Sequence, residues 1–534
     1  MRRFPVILSA ALVAVAPAGA QSWTSADQTI RRIFAEGMDS SQTYRLAQSL
    51  LDSIGPRLTG TPGMKSGNDW LVRMYTSWGV PARNEQYGTW RGWRRGISHV
   101  DLLTPRVRTL EGGLLAWSPG TMGKDVTGSV VVLPQVTDSA AFVAWLPQAK
   151  GKFVLVSFPE PTCRPDADWQ QYATPESVDR MKEARTAARA AWQRRVSATG
   201  YSTSLAAGSL GRRLGEAGAA GVLTTRWDNG GWGTRRVFGD LRQVVPALEF
   251  SCEDYGLLFR LAENNQGPTI RLRAEAEPTG EVPVFNTIAE LKGSEKPNEY
   301  VVLSAHFDSW DAGSGATDNG TGTLTMLEAM RILKKVYPNP KRTIVVGHWS
   351  GEEQGLNGSR AWAQDHPEVV NGLQALFNQD NGTGRVVNLG SSGLVGAAGF
   401  LARWMASVPT DIARFVQFSF PGAPPGGGSD NASFACYGAP GFGLGALDWN
   451  YGMYTWHTNR DTFDKVVFDD LRNNATLTAM LAYLASEDPQ TVPRDRRVFE
   501  SGPRQSARGP GGFPSPTSWP TCTPALRDAS GYTR

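Results

Sequence analysis

The chain has 534 residues, of which 40% are hydrophobic, 19% charged and 10% aromatic. This is a globular composition too long for one ordinary core, so two domains with loose ends are expected. Lys+Arg less Asp+Glu is 54 − 50 = +4, close enough to balance to exclude nucleic acid as an obvious partner.

The chain opens with Arg2 and Arg3, an apolar run from Val6 to Ala16 and the small residues Ala18-Gly19-Ala20. That is the layout of a signal peptide over 1–20, and it predicts export to the periplasm or the extracellular space. The run is too short to span a bilayer, and no later stretch is a transmembrane candidate. Ile30, Ile33, Phe34, Met38, Tyr44, Ala47, Leu50 and Ile54 recur at helical spacing. Gly55 to Gly63 is a loop by its turn residues, and a helix resumes over 64–78 until Gly79.

From 110 to 280 the character changes. Short β-rich runs (Val130–Leu133, Phe153–Val156) flank a basic, alanine-rich helix near 178–196, as in an α+β lobe inserted into another domain. From 283 to 486 strands and helices alternate: Tyr300–Ser304, Gly322–Val336, Thr343–Gly347, Ser359–Asp365 and Leu373–Asn378. Such alternation predicts an α/β fold with a mixed, mostly parallel sheet flanked by helices. The chain therefore divides into 1–20, 21–109, the insert 110–280, then 281–486, and a tail of low order over 487–534 that is rich in Pro, Gly, Ser and Arg.

Four cysteines, Cys163, Cys252, Cys436 and Cys522, stand far apart with no CxxC pair, so a local cysteine zinc motif is excluded. Export permits disulfides. Cys163–Cys252 is the preferred pair because both fall in the insert; reduced, buried cysteines are the alternative.

The chemistry concentrates in His306-Phe307-Asp308, Asp318-Asn319, Glu352-Glu353, Asp380 and His457, which hold two of the chain's five histidines. His306 and Asp308 follow the first strand, Glu352-Glu353 the second and Asp380 the third. Asp318 lies in a Gly/Ser/Thr-rich loop before a helix. Open α/β sheets bind ligands at the carboxyl ends of their strands. Imidazole and carboxylate ligands without thiolate suit zinc, and also manganese or cobalt. Two ions need a bridging carboxylate, and a neighbouring acid can take and return the proton of an activated water.

These residues lie in Gly315-Ala316-Thr317-Asp318-Asn319-Gly320-Thr321-Gly322, in Gly351-Glu352-Glu353-Gln354-Gly355-Leu356-Asn357-Gly358-Ser359 and in Trp456-His457-Thr458-Asn459-Arg460-Asp461-Thr462. With His306-Phe307-Asp308 and Arg57-Leu58-Thr59-Gly60-Thr61-Pro62-Gly63, they resemble the motif set of the M28 family of zinc peptidases. Within it, the insert and the stretch from Gly428-Ser429-Asp430 to His457 look most like the carboxypeptidase Q group. The resemblance implies a zinc-exopeptidase fold over 21–109 and 281–486 with a protease-associated-like lobe over 110–280. It implies two Zn2+ per chain and a secreted enzyme acting on peptide substrates, and leaves a homodimer open. His306 and Asp380 would bind one zinc, Glu353 and His457 the other, and Asp318 both. Glu352 would be the general base, and Asp308 would accept from His306 and fix its ring.

Two departures stand out. Trp456 occupies the position before the last histidine where many relatives carry tyrosine, leaving Tyr451 or Tyr454 to reach a developing oxyanion. Asp380-Asn381-Gly382 lacks the acidic partner found in selective relatives. Aminopeptidase, dipeptidase and carboxypeptidase action all remain open, with the first two favoured. A non-catalytic receptor on the same fold and a glutaminyl cyclase are the competing readings. His348 reads as a core or rim histidine, His366 as a helix-end residue and His99 as structural or exposed. Gly422–Gly428 reads as a loop, and Arg185, Arg189, Arg194 and Arg195 as a solvated helix face.

Overall fold

The structure is a computed structural model and describes residues 25–202, 209–239, 243–498 and 518–532; the expected signal peptide lies outside the described residues. The first helices follow from their caps and spacing. Asp27 accepts from the N–H groups of Thr29 and Ile30 (2.7 and 3.2 Å) and starts Gln28–Asp39. Two further turns, Thr43–Gln48 and Ser49–Ile54, end at Gly55, whose φ is 77°. Thr61 then caps Pro62–Ser77, with proline in the first turn.

Fourteen strands form among the described residues: β1 (Ala82–Thr104), β2 (Arg108–Thr109), β3 (Gly112–Leu114), β4 (Val126–Val132), β5 (Phe153–Leu155), β6 (Gly221–Thr224), β7 (Ala247–Phe250), β8 (Thr269–Leu291), β9 (Lys296–His306), β10 (Arg342–Trp349), β11 (Leu373–Asn378), β12 (Val386–Gly390), β13 (Gln417–Ser419) and β14 (Gly441–Ala446). They join in the order β13-β12-β14-β11-β9-β10-β8-β4-β5-β6-β7-β3, with β1 alongside β8. The run β14, β11, β9, β10 is parallel, and β10 meets β8 antiparallel.

Two strands of 23 residues, β1 and β8, tie the molecule together. Their antiparallel register runs from Ala82↔Ala289 to Thr104↔Thr269 and shifts four times, between Gln86 and Gly88, Gly92 and Trp93, Arg95 and Ser98, and Leu102 and Thr104. One end of β8 pairs with β10 and the other with β4. The two ends serve different cores. Ala289 and Leu291 pack with Val301, Leu303, Leu327, Ile344 and Leu477 from the central strands and the helices Thr321–Val336 and Phe468–Glu487. Ile270 and Leu272 pack with Leu102, Phe153, Leu223, Leu248 and Phe250 in the lobe. Within β9, Val301 and Leu303 face one core while Val302 joins Val345, Trp349 and Leu376 on the opposite face, the two-residue period of a strand covered on both sides.

Cys163–Cys252 is bonded, as preferred from sequence, and Cys436–Cys522 is bonded as well. Of the tail expected to be of low order, residues 499–517 lie outside the described residues, but 518–532 are packed. Arg527 grips Asp365 (2.7 and 2.9 Å) and donates to the Tyr87 carbonyl, and Ala529 and Tyr532 join an aromatic cluster with Trp90 and Trp117. The disulfide to Cys436 and these contacts order a stretch whose composition carries no periodicity. No helix among the described residues is long and apolar enough to cross a membrane.

Candidate metal centre

Three neighbouring parallel strands deliver the polar groups to one edge. His306 ends β9 and pairs with Trp349, which ends β10; Asn378, which ends β11, pairs with Ser304. The chain therefore continues from the same edge into Phe307-Asp308, Ser350–Glu353 and Gln379-Asp380. The turn into Glu352-Glu353 needs glycine at 351. Its φ is 68°, and a Cβ there would lie 2.6 Å from the Tyr87 hydroxyl. The Asp308 carboxylate accepts from the N–H groups of Glu352 (3.1 Å) and Glu353 (3.3 Å) and fixes that turn.

Asp318 is held from behind. Asp461 accepts from its N–H (3.0 Å) and from the N–H and hydroxyl of Thr317 (2.7 Å each). Arg57, fully buried, donates to the carbonyls of Phe307 (2.7 Å), Ser314 (2.8 Å), Gly315 (2.9 Å) and Gly55 (3.0 Å). This arginine explains the Arg57-Leu58-Thr59-Gly60 motif: it clamps the loop that presents Asp318 to the strand end that presents His306.

All five predicted ligands converge. His306 Nε2 lies 3.3 Å from Asp318 Oδ1 and 3.2 Å from Asp380 Oδ1. His457 Nε2 lies 3.1 Å from Asp318 Oδ2 and 2.9 Å from Glu353 Oε2. One carboxylate thus meets a different imidazole with each oxygen. Tetrahedral zinc with bonds of about 2.0–2.1 Å sets its ligand atoms about 3.3 Å apart, the spacing seen here. His306 Nδ1 donates to the main-chain carbonyl of Asp308 (3.0 Å). An unprotonated ring then turns the Nε2 lone pair toward two carboxylate oxygens, an all-acceptor triad that a cation satisfies. Asp318 Oδ2 and Glu353 Oε1 are buried and accept no hydrogen bond. The donor set is nitrogen and oxygen only, so these residues fit one cation in each of two adjoining groups, His306/Asp318/Asp380 and Asp318/Glu353/His457.

The electrostatics agree. Burial pushes Glu353 up to about 7, partly countered by His457, and raises Glu352 well above the usual range, with Asp380, Asp430 and Glu353 adding to the effect. Burial opposes charge on His457, but Glu353 and Asp318 lift it to about 9. His306 is likewise raised against burial by Asp380 and Glu352. Carboxylates crowded in low dielectric around two imidazoles are an environment that favours a cation.

Asp308 differs from its expected role. The acceptor for His306 Nδ1 is its main-chain oxygen, while its carboxylate stands 3.7 Å away and serves the Glu352-Glu353 turn instead. Arg185 is not on a solvated face. It is buried and paired with Glu160 and Asp166, both at 3.0 Å. His348 is a core residue bonded to the Tyr75 hydroxyl (2.7 Å), His366 pairs with Glu85 and Glu368, and His99 is exposed. Trp456 stacks on His457 with ring centroids 3.9 Å apart. Three contributors were not assigned from sequence: Asp461, the clamp Arg57, and Asp430, which is fully buried with the Ser359 hydroxyl beside its carboxylate. Burial raises the Tyr451 phenol, and Asp318, Asp380 and Glu353 reinforce this; Tyr454 packs on Gly231 and Lys465.

Residues 286–482 match the model of peptidase family M28. Carboxypeptidase Q of Homo sapiens is 25% identical over 463 residues, spanning 86% of this chain and 88% of that protein. A peptidase M28 precursor from Shewanella amazonensis has a similar structure, with a TM-score of 0.62 at 23% identity, covering 87% of this chain and 97% of the other. BSAP, a zinc aminopeptidase from Bacillus subtilis, gives a TM-score of 0.54 at 18% identity, covering 86% and 97%.

Proposed function

From the match of residues 286–482 to peptidase family M28, we propose that this chain is a secreted metallo-exopeptidase that holds two zinc ions and hydrolyses terminal peptide bonds of short peptides. The observation that carries the reading is the shared carboxylate of Asp318, 3.3 Å from one imidazole and 3.1 Å from the other through different oxygens. His306 and Asp380 would hold one ion, Glu353 and His457 the other, and Asp318 both. When bound, the pair supplies Lewis-acid polarisation of the scissile carbonyl and acidifies water.

The remaining steps belong to side chains. Glu352, held by the Asp308 carboxylate at its N–H, takes a proton from the attacking water on a carboxylate oxygen and returns it to the leaving amine. Its burial among other acids raises its proton affinity toward that task. Tyr451, whose phenol is raised by Asp318, Asp380 and Glu353 as well as by burial, would donate to the developing oxyanion, the part that Trp456 is unable to play. Attack at a chain end is supported by the insert, whose residues 230–238 lie against the loop bearing His457 and narrow the approach. Asp430, a buried acid near Glu352 with no cation paired to it, favours a substrate with a free amine. The two disulfides are in keeping with export.

The test is a peptide-library digest read by mass spectrometry, with metal analysis of the same sample. About two zinc ions per chain, loss of terminal residues only, abolition by chelator and restoration by zinc are expected. Less than about one ion per chain, or cleavage inside long peptides, would overturn the reading. N-acetylated and amide-capped dipeptides then separate the ends: the acetylated one should be the poorer substrate.

A further inference from the structure

We infer that the inserted lobe builds one of the two cation sites: Arg236, with Phe238, is a positioning residue that holds His457 as a ligand. The inference rests on the two-ion reading above.

His457 is in an unusual state for a ligand. Its φ is 57°, a left-handed conformation that non-glycine residues adopt only where the surroundings hold it. Its Nδ1 is buried with no hydrogen-bond acceptor, whereas histidine ligands are ordinarily oriented through that second nitrogen. Something other than a hydrogen bond to the ring must fix both backbone and imidazole.

The lobe supplies it. Val237 N–H donates to the His457 carbonyl (2.8 Å), and Asn459 N–H donates to the Arg235 carbonyl (3.1 Å), either side of an antiparallel bridge between Arg236 and Thr458. The Arg236 guanidinium reaches across to the carbonyls of Gly452 (2.7 Å) and Trp456 (3.3 Å), and Asp228 steadies it at 3.3 Å. The same guanidinium lies 4.6 Å from the Trp456 ring centroid, and that indole stacks on the imidazole. Phe238 closes the ring's edge at 5.1 Å. Glu111, also from the insert, accepts from Asn459 (3.1 Å) and Arg460 (3.0 Å). The imidazole therefore sits in an aromatic slot with one wall from the lobe and a second wall pinned by it. None of these contacts reaches His306, Asp318 or Asp380.

The test is a zinc titration of the metal-free full-length protein against a chromophoric chelator, resolving both dissociation constants. The wild type should bind two ions. Arg236→Ala should weaken one of them about 10–100-fold, the usual cost of losing a group that orients a ligand, and leave the other within about threefold. Arg236→Lys should not restore it, because an ammonium lacks the planar fork that reaches two carbonyls. Should Arg236→Ala fail to fold, Glu111→Ala, at a more exposed position, should weaken the same ion alone. Unchanged constants, or equal weakening of both ions, would overturn the inference. A wild type that binds fewer than two ions would instead refute the two-ion reading itself.

Discussion

His306 and His457 stand on either side of one carboxylate, yet they are held by different means. His306 ends a central strand, fully buried, and its ring is set by a 3.0 Å hydrogen bond to a carbonyl two residues along its own chain. Its partners Asp318 and Asp380 come from neighbouring elements of the same core. His457 lies on a loop far from any strand, in a left-handed conformation, with its ring held by stacking and by a lobe that begins hundreds of residues earlier. One half of the centre is thus as rigid as the sheet, and the other is as rigid as the contact between two cores. This contrast separates metal sites that local sequence specifies from sites that depend on how distant segments dock.

Substitutions should break this contrast at different depths. Asp318→Ala removes the residue common to both halves. Both zinc ions should be lost together in metal analysis, and turnover should fall by about a thousandfold or more, the several kcal/mol that metal catalysis contributes. Loss of a single ion would show that the halves are not joined through Asp318. Glu352→Gln keeps every ligand and should retain metal and melting temperature, with kcat down at least about a hundredfold; near-normal kcat would mean that another group is the base. Asp308→Ala leaves the main-chain acceptor for His306 intact but frees the Glu352-Glu353 turn. In a cobalt titration followed by its absorption spectrum, it should weaken the Glu353/His457 half about 10–100-fold and spare the His306 half.

The smallest effect at the centre should come from Glu249, buried in β7 of the lobe. Burial raises its carboxyl to about 7, with Thr224 and Arg226 pulling the other way. A raised acid binds more protons folded than unfolded, so its contribution to stability is present below about 4.5 and is lost as pH rises toward 7. The loss is on the order of 3 kcal/mol. Thermal unfolding followed from pH 5 to 7.5 should show this slope in the wild type and a flatter one in Glu249→Gln. A slope unaltered by the substitution would assign it to other groups.

The sequence made the sheet-borne residues readable because they follow apolar strands within a few positions: His306 after Tyr300–Ser304, Glu352-Glu353 after Thr343–Gly347, Asp380 after Leu373–Asn378. His457 was readable only through the motif around it, since nothing local predicts a ligand on an irregular loop. β1 was not legible at all. Its alternation is broken by irregularities around Gly88, Gly92 and Ser98, and its exposed positions are rich in Arg, so no two-residue period survives. Nothing in the sequence singles out Arg236 and Phe238, because their contacts lie across more than two hundred positions of chain. Arg185 looked solvated because a basic helix gives no sign that Glu160 will be buried beneath it.

The pairing of β1 with β8 has a topological consequence. The chain enters the lobe on one strand and returns on its immediate neighbour, with Gly92 opposite Gly280. Residues 105–268 therefore lie between two paired strands, as an excursion from the end of one long β-ladder. Material can be added to or trimmed from that end without rethreading the sheet below. The docking of residues 230–238 beside His457 ties the size and shape of this ornament to the chemistry beneath it.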